Sequence, residues 1–152
     1  MLKEGDKAPE IRVRTSTGEL FQLSGLKGKR VVLYFYPKAD TPGCTVEACE
    51  FRDDIKAFGK KGAVVVGVSP DKIAAQARFK GKYDLPFTLL ADHEKSAAKA
   101  YGVWREKNMY GKKVMGIVRT TFVIAPNGKI EHIYGNVKAK GHAAQVLEDL
   151  GS

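Results

Sequence analysis

Cysteine is scarce in this chain: two in 152 residues, Cys44 and Cys49, five positions apart. No apolar run approaches the ~18 residues of a membrane-spanning helix. The opening Met1-Leu2-Lys3-Glu4-Gly5-Asp6 lacks the hydrophobic stretch of a signal peptide. The expectation is a cytoplasmic protein with no membrane association, where a thiol pair is more often catalytic than structural. Histidine is also sparse. His93, His132 and His142 are widely spaced, with no Cys or carboxylate at metal-ligand intervals, so no metal site is expected. No glycine-rich phosphate motif is present, and nothing calls for a nucleotide or other cofactor. Acidic residues are outnumbered 17 to 26 by Lys and Arg, for a net charge of +9. The cations cluster at Lys27-Lys29-Arg30, Lys60-Lys61, Lys80-Lys82 and Lys112-Lys113, beside glycines and without interleaved aromatics, which argues against a nucleic-acid partner. Repeats and low-complexity segments are missing, and the length suits one domain, residues 1–152, around one sizeable core.

What remains is an ordinary globular composition, 43% hydrophobic and 28% charged. Ile11 to Leu23 reads as a hairpin around Ser16-Thr17-Gly18. Val31 to Tyr36 is a continuous apolar run, hence a buried strand. Thr41 to Phe58 reads as one helix, and Ala63 to Val68 as a second buried strand. Ser69-Pro70-Asp71 has the form of a helix start, continued by Ala74 to Phe79. Pro86 to Leu90 is a third strand, and Ser96 to Tyr101 a short helix that Asp92-His93-Glu94 introduces. Gly102 to Val118 reads as a long loop. Thr120 to Ala125 and Ile130 to Tyr134 form a hairpin through Pro126-Asn127-Gly128. The last helix carries Ala143, Val146, Leu147 and Leu150 at i, i+3, i+4, i+7. Strands alternate with helices in the middle and a hairpin closes the series, so the fold class is α/β, a mixed sheet flanked by helices with an N-terminal β-hairpin.

Both cysteines fall in Pro37-Lys38-Ala39-Asp40-Thr41-Pro42-Gly43-Cys44-Thr45-Val46-Glu47-Ala48-Cys49. With Thr41 as N-cap and Pro42 at the first helical position, Cys44 lies in the first turn. Unpaired amides and the helix dipole favour an anion there, and the thiolate is the reactive form of cysteine. At ~100° per residue, Cys44, Ala48, Phe51, Ile55 and Phe58 share one face, the core stripe, while Cys49 lies about 140° away. A lone cysteine on such a face is ordinarily just packing. The second cysteine, and the spacing of Pro37, Thr41 and Cys44, argue for chemistry instead. Five helical residues separate two Cα atoms by roughly 8–9 Å, beyond the ~7 Å reach of a disulfide. The two thiols can therefore join only if the first turn unwinds. Cys-x4-Cys also disfavours a protein thiol–disulfide oxidoreductase, whose motif is Cys-x-x-Cys.

The pattern Pro-x3-Thr-Pro-Gly-Cys-Thr-x-Glu-Ala-Cys resembles the active-site signature of peroxiredoxins of the bacterioferritin-comigratory (Q) type. The likeness extends through Ala8-Pro9, Val64 to Ser69, Tyr101-Gly102-Val103-Trp104 and Met115 to Phe122. It implies a thioredoxin-like fold and an antioxidant thiol peroxidase acting on hydrogen peroxide and organic hydroperoxides. By position it implies Cys44 as peroxidatic cysteine and Cys49 as its resolving partner in a redox-active intramolecular disulfide. It implies that Thr41 holds the peroxide, that Pro37 and Pro42 shape and shield the pocket, and that Arg119 stabilises the thiolate. Glu47 is expected to support the polar network, and Gly43 to remove bulk from beside the thiol. Thioredoxin or a similar dithiol is the implied reductant, and a monomer the implied state.

Overall fold

The computed structural model describes residues 1–151. Its centre is a five-stranded sheet of β3 (Arg30–Phe35), β4 (Ala63–Ser69), β5 (Thr88–Ala91), β8 (Thr120–Ile124) and β9 (Ile130–Tyr134), in the order β5-β4-β3-β8-β9. β3, β4 and β5 are parallel, and β8 and β9 run antiparallel to their neighbours. The sheet is mixed, as expected. The near-continuous Val/Leu/Tyr/Phe run of β3 is explained by its position. It is the middle strand, covered on both faces.

Alternation along β3 splits the apolar residues into two cores. Val31, Leu33 and Phe35 face a layer containing Ala97, Ala98, Tyr101 and the N-terminal residues Ala8, Ile11 and Leu23. Val32, Tyr34 and Tyr36 face a second layer with Cys44, Ala48, Phe51, Phe58, Phe79 and Val146. The first layer rests on α4 (Ser96–Ala100) and on the hairpin β1 (Arg12–Arg14) with β2 (Leu20–Gln22). The second rests on α1 (Pro42–Asp53), α2 (Ile55–Lys60), α3 (Ile73–Lys82) and α5 (His142–Asp149).

In the second core the Tyr34 ring stacks on Phe51 with centroids 4.7 Å apart, and its hydroxyl lies over Gly67. A Cβ at Gly67 would stand 2.9 Å from both Tyr34 and Leu89. Gly67→Ala is therefore expected to overpack this layer and cost about 1–3 kcal/mol of stability. Chemical denaturation read by circular dichroism checks this; an unchanged midpoint would show that the layer can shift aside.

Three sequence expectations change. The helix from Thr41 to Phe58 is two helices, because Asp54 leaves helical geometry at φ −97°, ψ 7°. The apolar stripe nevertheless runs on across the break, with Phe51 and Phe58 both fully buried. The helix start read at Ser69-Pro70-Asp71 lies instead at Ile73, after Lys72 as N-cap. Ser69 ends β4, and the Asp71 carboxylate takes hydrogen bonds from outside the helix. Asp92, by contrast, does introduce α4: its carboxylate accepts the amides of Ala97 and Ala98 at 3.1 and 2.9 Å.

The third change is the largest. Gly102 to Val118 is not a loop but chiefly a hairpin, β6 (Trp104–Met109) against β7 (Lys112–Ile117). Tyr110 and Gly111 turn it, both with positive φ. That is the signature of a tight two-residue turn matching the strand twist. Its strands are mostly exposed, so they carry no apolar alternation by which they could be read from sequence.

Candidate active site

The site forms where β3 delivers the chain to α1. After buried Tyr36 the backbone turns through residues 37–41, with Asp40 in the left-handed region at φ 60°. Thr41 is extended at φ −94°, ψ 157°, and Pro42 opens the helix with a φ already suited to it. The first intrahelical bond runs from the Thr45 amide to the Thr41 carbonyl, 2.8 Å. The amides of Gly43 and Cys44 precede that bond, so they belong to the unpaired donors of the first turn.

Cys44, 1% exposed, ends on the buried stripe as the helical phase required. Cys49 is half-buried on another side of the same helix, and both thiols are free. The first turn is wound, so this is the reduced arrangement in which the two sulfurs belong to separate surfaces of α1.

Arg119 arrives from the residue before β8, 75 positions after Cys44. Its Nη2 donates to Cys44 Sγ at 3.4 Å and its Nη1 to Glu47 Oε1 at 2.6 Å. Glu47 lies one helical turn beyond Cys44 and is fully buried. One guanidinium thus bridges a sulfur and a carboxylate from the same helix. Its backbone is fixed by the bond from the Val137 amide to the Arg119 carbonyl, 2.8 Å.

Burial pushes the Glu47 carboxyl up to about 7; the attraction of Arg119 opposes this without overcoming it, and Glu50 adds repulsion. Among the described residues Glu47 Oε2 has no hydrogen-bond partner. Burial by itself would lower the Arg119 pKa, but the Glu47 carboxylate and the Cys44 sulfur hold it above the ordinary value.

Thr41 is the N-cap by backbone geometry, but its hydroxyl does not cap the helix; it donates to the Lys38 carbonyl at 2.8 Å. A loop turned back on itself offers that nearer acceptor. Pro37 is half-buried, whereas Pro42 is exposed and shields little; its contribution is the helix start. At Gly43 a Cβ would meet Arg119 Nη2 at 3.2 Å. The missing side chain therefore makes room for the guanidinium rather than for the thiol itself.

Two buried groups near this site escaped the sequence reading. His142, at the start of α5, shares a 2.7 Å hydrogen bond between its Nε2 and Thr121 Oγ1. Burial lowers its pKa to about 4, with the charge of Arg119 adding to the effect, so the ring is neutral at pH 7. Tyr34 keeps a buried hydroxyl without a hydrogen-bond partner among the described residues. A lone His in an amphipathic helix and a Tyr inside an apolar strand carry no signal that sets them apart. A cavity of about 390 Å³, lined by Ala8, Leu23, Leu26, Val31 and Ile124, lies at the other end of β3. It is roughly 20 Å from the cysteine end by strand length.

Comparison with known proteins agrees with this geometry. The AhpC/TSA family model matches residues 4–133. Peroxiredoxin Bcp of Bacillus subtilis is 47% identical over 96% of this chain and 93% of its own length. Peroxiredoxin Bcp of Escherichia coli is 44% identical over 98% and 96%. A crystal structure of Xylella fastidiosa PrxQ superposes with a TM-score of 0.93 at 35% identity, covering 99% of this chain and 96% of that one. A structure of the Xanthomonas campestris bacterioferritin comigratory protein, solved for its alkyl peroxide reduction activity, superposes at 0.88 with 38% identity, covering 92% and 89%. The mixed sheet with its flanking helices is accordingly the thioredoxin-like architecture that the motif implied. With an arginine held against a buried first-turn thiol and relatives that match it end to end, the chain belongs to the AhpC/TSA family and is a thiol peroxidase, a peroxiredoxin of the bacterioferritin-comigratory (Q) type.

Proposed function

We propose that Cys44 is the peroxidatic cysteine, Cys49 the resolving cysteine, and Arg119, Thr41 and the first-turn amides the groups that bind and polarise the peroxide. The observation that carries this assignment is the 3.4 Å approach of Arg119 Nη2 to Cys44 Sγ at the start of α1. A cation approaches a sulfur that the helix places in the core layer, in a first turn whose amides have no intrahelical partner.

The Cys44 thiolate attacks the terminal, hydrogen-bearing oxygen of the peroxide. The O–O bond breaks, the sulfur is oxidised to a sulfenic acid, and the leaving oxygen departs as hydroxide or alkoxide to take a proton from water. Thr41 Oγ1 already spends its hydrogen on Lys38, which leaves its lone pairs to accept the peroxide O–H. That keeps the hydrogen on the oxygen transferred to sulfur. Arg119 and the first-turn amides face the developing charge, and Glu47 holds Arg119 in place.

The first turn then unwinds, and the Cys49 thiol condenses with the sulfenic acid to give a disulfide and one water. Thioredoxin or a similar dithiol reduces the disulfide by exchange and is itself oxidised. Hydrogen peroxide and organic hydroperoxides are the substrates, the 152 residues act as one domain, and the cycle proceeds within a monomer.

Mass spectrometry after one equivalent of peroxide tests the roles. Cys49→Ser should gain one oxygen on Cys44 and stop there, while Cys44→Ser should leave Cys49 unmodified. Rapid oxygen uptake at Cys49 in the Cys44→Ser protein would reverse the assignment.

A further inference from the structure

The loop that carries Thr41 to the head of α1 is held by residues outside the site. The Ala39 amide donates to Asp71 Oδ2 at 2.7 Å, and the buried Ser69 hydroxyl donates to the same oxygen at 2.6 Å. Asp71 comes from the connection between β4 and α3, which contributes none of the groups at Cys44. The next loop residue, Asp40, sits in the left-handed region, where its carboxylate accepts Lys82 Nζ at 2.9 Å and Tyr83 Oη at 2.8 Å. The Lys82 and Asp40 side chains are 58% and 42% exposed, so water screens that pair and it holds weakly. The Asp71 contact is the better sheltered of the two, since Ser69 fixes the carboxylate from below.

Residues 38–41 are closed on themselves by the bond from the Thr41 hydroxyl to Lys38. Pinning the Ala39 amide therefore fixes the whole turn as a unit. It sets where the Thr41 hydroxyl stands and where Pro42 starts the helix. Two residues after Pro42, it also sets where Cys44 lies relative to Arg119.

We propose that Asp71 is a positioning residue for the peroxide step, acting through the Ala39 amide on Thr41 and the first turn of α1. This rests on the reading of Cys44 as the attacking thiol. Peroxide attack needs the sulfur, the Thr41 hydroxyl and the guanidinium in register at once, and a displacement of about 1 Å can cost 10²-fold in rate. Alkylation by iodoacetamide needs only an accessible thiolate. Loss of the anchor should therefore separate the two reactions.

The test measures both rate constants on the reduced protein in a Cys49→Ser background, where Cys44 is the one thiol left, with Asp71 and Ser69 intact and with Asp71→Ala, Asp71→Asn or Ser69→Ala added. Asp71→Ala should lose about 10–100-fold with hydrogen peroxide and no more than about 3-fold with iodoacetamide. Asp71→Asn keeps an acceptor for Ala39 and should recover to within about 3-fold of the Cys49→Ser parent. If Asp71→Ala does not fold, Ser69→Ala, which frees the carboxylate to swing, should show the same separation at smaller amplitude. Peroxide rates within about 2-fold of the Cys49→Ser parent in whichever variant folds, or equal losses in both reactions, overturn the proposal. A Cys44→Ser protein that still reacts with peroxide would instead overturn the reading on which it rests.

Discussion

Arg119→Ala should slow the reaction of the reduced protein with peroxide by about 10²–10³-fold, the usual cost of removing one donor aimed at a developing negative charge. Ionisation alone cannot supply that factor. An ordinary thiol of pKa ~8.5 is about 3% thiolate at pH 7, so complete ionisation is worth at most ~30-fold. Intrinsic nucleophilicity falls as the pKa falls, with a slope of ~0.4–0.5 in disulfide exchange, and a similar slope here would reduce the net gain to a few-fold. On the proposed mechanism the guanidinium acts mainly on the O–O bond as it breaks. Rapid-mixing rates, set beside the thiolate fraction read at 240 nm, measure the two contributions separately. A rate loss no larger than the loss of thiolate would remove the electrostatic role assigned to Arg119.

The same substitution leaves the Glu47 carboxyl fully buried with its ion-pair partner Arg119 gone. Breaking a buried pair from one side is costly because the remaining charge is uncompensated. Protonation relieves it, so the stability loss of Arg119→Ala should be larger at pH 8 than at pH 6.

Glu47→Gln should remove one component of the pH dependence of stability in the wild-type protein; His142, lowered to about 4 from 6.5, supplies the other, of opposite sign, and keeps it in the variant. Burial holds the Glu47 pKa at about 7, above its ordinary 4.5. Between those values the folded state binds a proton that the unfolded state releases. Stability from this group is therefore fully present below about pH 4.5 and lost as pH rises through about 7. A shift of that size corresponds to ~3 kcal/mol across the window. Glutamine keeps an acceptor for Arg119 Nη1 and has no charge to bury, so its contribution should be flat. Denaturant midpoints at pH 5, 6, 7 and 8 supply the comparison, and an unchanged slope in the variant would assign the titration to another group. The peroxide rate per thiolate should also fall in the wild type as pH drops through 7. Protonation weakens the 2.6 Å bond that orients Arg119. The glutamine variant should lack that inflection.

The buried strands and the face of α1 were legible because each obeys a short-range rule. Val31 to Tyr36 is apolar throughout and became the middle strand; Cys44, Ala48, Phe51 and Phe58 follow the helical period and became fully or almost fully buried. The hairpin from Trp104 to Ile117 was not legible. Its pairing is held by backbone bonds and a tight turn, while its exposed side chains follow no burial pattern. Asp71 was misread for a related reason. Its local context, after Ser69-Pro70, is that of a helix start, and its actual partner is the amide of Ala39, 32 residues earlier.

The sequence by itself determined where the two thiols stand. A cysteine placed three residues into a proline-started helix, on the apolar stripe, with a second cysteine out of phase and out of reach, follows from helical geometry alone. Only the tertiary structure decided what surrounds that sulfur. The bridge from Arg119 to Glu47, the hold of Asp71 on the loop and the orphaned Glu47 oxygen join residues from different strands, helices and connections. No local period encodes such contacts, because they exist only after the sheet has ordered its strands and brought their ends together.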